Sequence, residues 1–236
     1  MPPLETVIYA FIGGLLPALV WLYFLLKEEE RCPQPAWAIF AMFIAGMVAV
    51  PFVLPFEDLA VQYLSSDLNI VIAWATVEEV AKYLLFAVIT LAFAHAVRNS
   101  IDIVISMITV ALGFAALENA LFLLDPLSQG RFLAGLVTNN LRFIGSTLLH
   151  VIASSAIGFA LAFSYRSRPP MRAVAAAFGL ILAIGLHALF NFFIIRAGGS
   201  TTILAFFTVW TGAVVFFAAF EILKYFRYRN LPKNVC

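Results

Sequence analysis

Glu78, Glu79 and Lys82 fall within residues 74–94, WATVEEVAKYLLFAVITLAFA, whose other side chains suit a lipid-embedded helix. A charge in mid-bilayer costs several kcal/mol on insertion scales, so such groups are functional candidates by default. Three other polar sets occur in apolar surroundings: Glu118 with Asn119, Arg142 with His150, and His187 with Asn191. Three carboxylates and two histidines can activate water by general-base catalysis when burial raises a carboxylate's basicity. A nearby Asn or His can donate to a developing oxyanion. The same residue types also hold zinc, for which three protein ligands and a water suffice. Other hydrolytic routes lack their motifs: there is no H-E-x-x-H, no G-x-S-x-G and no pair of mid-span aspartates, since Asp102 and Asp125 lie at span ends.

The elements that position these groups are helices. With 64% hydrophobic and 11% charged residues and a mean hydropathy of +1.01, the chain has the composition of a bilayer protein. Apolar runs at about 4–26, 36–56, 69–94, 102–124, 135–165, 171–195 and 200–223 predict seven transmembrane helices. They are too long and too free of alternation for barrel strands. Pro51 and Pro55 are expected to kink or end the second. With the N-terminus outside and the C-terminus cytoplasmic, ten of the fourteen Lys and Arg fall in cytoplasmic segments, only Arg131 and Arg196 fall in outer loops, and Lys82 and Arg142 lie within spans. The first span lacks a basic region before it and a small-residue cleavage site after it, so it is read as retained. Residues 1–236 read as one transmembrane domain.

Depth organises the polar residues. Glu78 and Glu79 lie about ten residues into the third span, and His187 about eight from the outer end of the sixth, which at 1.5 Å per residue puts the four helices' polar groups at one level. Glu78 and Lys82 are i,i+4, with the acid first, a favourable order. His187 and Asn191 share a face. Glu78 and Glu79 point about 100° apart, so one can face a cavity while the other binds a neighbouring helix. Each group also has a structural reading: interhelical glue for the glutamates, snorkelling for Arg142, core hydrogen bonding for each histidine, packing for Ser154 and Ser155, and an interfacial place for His95. Their conjunction at one depth favours chemistry. A net charge of +1 gives no reason to expect nucleic acid, and the basic tail KYFRYRNLPK suits anionic headgroups. Cys32 and Cys236 fall on the cytoplasmic side, where disulfides are rare.

The motifs EEVAK (Glu78, Glu79, Lys82), FAALEN (Phe114, Glu118, Asn119), RFIGSTLLH (Arg142 to His150) and HALFN (His187, Asn191) resemble those of the PrsW family of intramembrane proteases, related to the type II CAAX prenyl endopeptidases. The resemblance covers about residues 70–195. It implies that Glu78 activates water, Glu79 shapes the site, His187 and Asn191 position water or stabilise the oxyanion, and His150 completes the cluster. It leaves Glu118 open as ligand, second base or structural partner. Should a metal such as zinc be used, Glu79, Glu118, His150 and His187 are the candidate ligands; use of none stays open. The CAAX enzymes typically carry E-E-x-x-x-R and F-x-x-x-H, whereas this chain has E-E-x-x-K and F-x-x-x-E, closer to PrsW. The implied substrate is a single-pass membrane protein such as an anti-sigma factor, cut outside the membrane, and the implied location is the bacterial cytoplasmic membrane. Two alternatives stand beside this reading: a proton- or cation-coupled transporter with a Glu/His relay, and a non-catalytic scaffold similar to APH-1.

Overall fold

The computed structural model describes residues 2–28, 32–93, 95–133, 145–195 and 200–229. Seven helices follow in order: α1 (Leu4–Glu28), α2 (Ala36–Tyr63), α3 (Asp67–Ala92), α4 (Ser100–Ser128), α5 (Thr147–Phe163), α6 (Pro169–Ile195) and α7 (Ser200–Tyr228), with no strand among the described residues. Helices α1, α2, α4, α6 and α7 are long and apolar enough to cross a membrane. Helix α3 has a similar length, 26 residues, and is set apart by Asp67, Glu78, Glu79 and Lys82. Helix α5 contributes 17 described residues, also apolar. The chain is a polytopic, all-helical integral membrane protein.

Helix α4 forms the core. It is apolar all round, the signature of a helix buried on every side, and every residue from Ile101 to Ala116 is buried. The Asn99 side chain starts it by accepting from the backbone N–H groups of Ile101 and Asp102 at 2.8 and 3.1 Å. Helices α1, α2 and α5 pack around it. Small residues permit the close approach: a Cβ on Gly113 would run into the Phe43 backbone on α2, and one on Gly46 into Val110 on α4. Helices α2, α3, α6, α5 and α4 pack each on the next and close a ring. The interior of that ring is where the charged face of α3 turns.

The prolines do not end α2. It continues through Pro51 and Pro55 to Tyr63, leaving only 64–66 to connect it to α3. Neighbouring helices can accommodate a proline inside a membrane-spanning helix. Beyond the prolines, the Trp74 indole N–H on α3 ties α2 to α3 by donating to the Glu57 carbonyl at 3.1 Å. Glu57 is therefore carried on a helix.

One end of the bundle is laced together by polar contacts between connections. Arg98 bonds Asp102 and the Pro33 carbonyl, Gln34 donates to Ser106 and to the Ala96 carbonyl, and the Tyr165 hydroxyl donates to the Arg98 carbonyl. Lys224 on α7 pairs with Glu28 at the end of α1 at 3.3 Å. Asp102 thus sits at a helix start, as expected. Cys32 is buried; Cys236 and Arg142 lie outside the described residues.

Candidate active site

The buried stripe of α3 runs Val71, Ala75, Glu78, Glu79, Lys82 and Phe86. Its spacing is that of any amphipathic helix, but its middle positions are charged where apolar side chains would normally face the core. On α5, His150 and Ser154 share a face at i,i+4, and both are buried. The site forms where these two faces meet α4 and α6.

Glu79 holds three helices together. Its Oε1 accepts from Lys82 Nζ at 2.6 Å and from His187 Nδ1 at 2.8 Å, and its Oε2 accepts from the Ser154 hydroxyl at 2.7 Å. A carboxylate only accepts and an ammonium only donates, which assigns the ring atoms at these contacts. His187 carries a proton on Nδ1, and its Nε2 lies 3.8 Å from Glu78 Oε2. His150 Nδ1 accepts from Lys82 Nζ at 3.0 Å, so its Nε2–H donates to Glu118 Oε2 at 3.1 Å. The two imidazoles meet edge to face, 5.0 Å between centroids. Lys82 also lies 4.3 Å over the Phe114 ring, a cation–π contact that helps to hold a fully buried ammonium.

Glu78 is the exception in this network. Its Oε2 is buried and makes no hydrogen bond among the described residues, though Lys82 Nζ lies 3.5 Å away and His150 Nδ1 4.0 Å away. It faces a cavity of about 700 Å³ whose polar wall is formed by Glu57, Glu78, Glu118, His150, His187 and Asn191. All six residues expected at the site are therefore brought together: Glu78, Glu118, His150, His187 and Asn191 line the cavity, and Glu79 lies behind them. Asn119 turns away to donate to Thr147 at 2.9 Å.

A model of the PrsW family intramembrane metalloproteases matches residues 34–223, most of the chain and all of the helices that bear the site. The chain belongs to the PrsW family. No curated protein and no solved structure matches it. It is accordingly an intramembrane protease, and its cavity lies inside the matched region.

The family is described as metalloproteases, and the donors here suit a metal ion. One ligand atom each from Glu78, His150 and His187 lie within 4.8 Å of one another, all on buried residues. A carboxylate oxygen with no hydrogen bond among the described residues, beside two imidazole nitrogens, is a donor set of the kind zinc takes. The outer ring nitrogens of both histidines are held by carboxylates, Glu79 and Glu118, an arrangement that fixes imidazole ligands in metal sites. The converging set contains Glu78 rather than the Glu79 and Glu118 expected from the motifs. Metal binding at His150 Nδ1 would displace the Lys82 hydrogen bond.

Two residues of this site were missed in the sequence. Ser154, whose residue type suggests helix packing, lies one turn from His150 on the same face. Glu57 was hidden by the two prolines, which suggested that the helix had already ended.

Proposed function

We propose that this PrsW-family chain hydrolyses a peptide bond of a membrane-anchored protein, using water activated beside Glu78 between α3, α4, α5 and α6. The observation that carries the reading is Glu78 Oε2, a buried acceptor without a hydrogen bond, set against two imidazoles on the wall of a cavity. Glu79 fixes the His187 ring and tautomer, and Lys82 offsets the charge of the glutamate pair. Glu118 is more exposed than Glu78, at 20% against 5%, which suits it to take a proton from the attacking water and return it to the leaving amine. Asn191, one turn from His187, offers an amide N–H to the oxyanion. A divalent metal such as zinc, held by Glu78, His150 and His187, would polarise the scissile carbonyl and acidify bound water.

By the family resemblance, the substrate is a single-span protein of the anti-sigma-factor kind in the bacterial cytoplasmic membrane. The test is mass spectrometry of newly formed protein N-termini in membranes of cells expressing wild type or Glu78→Gln at equal levels. New termini that appear only with wild type, beside or inside the spans of single-pass proteins, support the proposal. Matching profiles under several envelope stresses, from a mutant that still fails to complement a deletion, would end it.

A further inference from the structure

A second recess, of about 1090 Å³, lies beside the first, between α5, α6 and α7. One wall is the α6 row Val174, Phe178, Leu182, Leu186 and Phe190; the other is the α7 row Phe207, Thr211, Val215 and Ala219. Both rows repeat every four residues, the ridge spacing against which another helix packs. Between them lie small side chains, among them Ala156, Ala160 and Gly212, together with larger ones such as Ile152, Phe159 and Phe216. Small residues let a helix backbone approach closely, whereas a lipid chain has no need of them. From Val174 to Phe190 the groove runs about 24 Å along the α6 axis, most of the ~30 Å apolar thickness of a bilayer.

The groove adjoins the catalytic cavity along a wall one residue thick. Leu149 faces the groove and His150 the cavity; the same alternation holds for Leu186 and His187, and for Phe207 and Phe206. Phe190 borders both, and its ring stands perpendicular to that of Phe206, 6.5 Å between centroids. A helix seated in the groove would thus end beside the turn of α6 that carries His187 and Asn191.

We propose that the groove between α6 and α7 is the docking site for the transmembrane helix of the substrate, whose scissile stretch then reaches Glu78 past the Phe190–Phe206 pair. This inference rests on the peptidase reading for its occupant, and its test measures docking without cleavage. The full-length Glu78→Gln chain is reconstituted in phosphatidylcholine–phosphatidylglycerol vesicles with a biotinylated single-span peptide of alternating Leu and Ala flanked by Lys. A photoreactive benzoylphenylalanine replaces Phe178 or Val215 in the groove, or Phe52 on α2 as control; Phe178 and Phe52 are 65% and 64% exposed, so lipid access is matched.

The expected result is a biotinylated adduct several-fold stronger at 178 and 215 than at 52, and its loss from the 178 position when Thr211→Trp fills the groove. Equal labelling at 52 and 178, lipid adducts alone at 178, or a product of twice the chain mass would overturn the proposal. Because Glu78→Gln cannot report cleavage, a negative result here leaves the new N-termini to judge the peptidase reading separately.

Discussion

Glu78 and Glu79 are neighbours in sequence with opposite circumstances. Glu79 accepts three hydrogen bonds, from Lys82, His187 and Ser154, while Glu78 Oε2 accepts none among the described residues. Removing one partner of a buried, hydrogen-bonded ion pair costs about 3–5 kcal/mol, because the other charge is left behind. Glu79→Gln should therefore lower the thermal midpoint of the detergent-solubilised chain well below that of Glu78→Gln, which should stay near wild type while cleavage is lost. Glu79→Gln combined with Lys82→Met should recover part of the deficit, since the pair is then removed together. Equal losses in the two glutamine variants would contradict this division of roles. A second expectation concerns the metal. Anything that binds only the folded state stabilises it by mass action, so added zinc should raise the midpoint of the chelator-stripped wild type and leave His187→Ala unmoved. An identical shift in both would place the metal elsewhere.

Helix contacts decide which of these side chains can meet. Helix α2 lies so close to α4 that Gly46 and Gly113 each face the partner's backbone. Gly113→Ala must push α2 outward, and Phe114, the next residue, lines the cavity and lies under Lys82. Overpacking of this kind costs typically 1–3 kcal/mol, roughly the loss expected in unfolding experiments. Gly185→Ala, with open space around its added methyl, serves as the control and should change little. At this scale the number and order of the helices were legible because uninterrupted apolar length is the dominant signal in a bilayer protein. The convergence of Glu78, Glu118, His150 and His187 was legible from depth alone, since four helices of known direction leave little freedom along the membrane normal. Rotation about each axis was not legible. It decides that Glu79 rather than Glu78 binds Ser154, and it follows from packing that no single helix encodes. The length of α2 was misread because a proline is a local breaker signal, whereas the continuation to Tyr63 depends on the neighbours that pack against it.

For the whole molecule, access to the site depends on which end of the bundle faces which side. Glu28, Pro33, Gln34, Ala96, Arg98, Tyr165 and Lys224 are joined at one end, and ten of the fourteen basic residues belong to the segments of that side. By the positive-inside rule we propose that this is the cytoplasmic end. A cysteine introduced at Ser167 should then react with an impermeant maleimide only after the membrane is opened, and one at Gln129 should react in intact cells. Depth follows from that orientation. Glu78 lies about 16 Å from the start of α3 at Asp67, and His187 about 12 Å from the end of α6 at Ile195, at 1.5 Å per residue. Helices of 28 and 29 residues such as α2 and α4 are about 42 Å long, so they project beyond an apolar layer of ~30 Å. On that proposed orientation, Glu78 and His187 would sit within the outer leaflet, reachable by a stretch of substrate unwound from the outer end of its span. The new N-termini should accordingly fall in the outer half of the substrate's transmembrane segment or in the first residues outside it. Termini concentrated on the cytoplasmic half, obtained with the maleimide pattern as expected, would mean that the substrate reaches Glu78 from the other side of the ring.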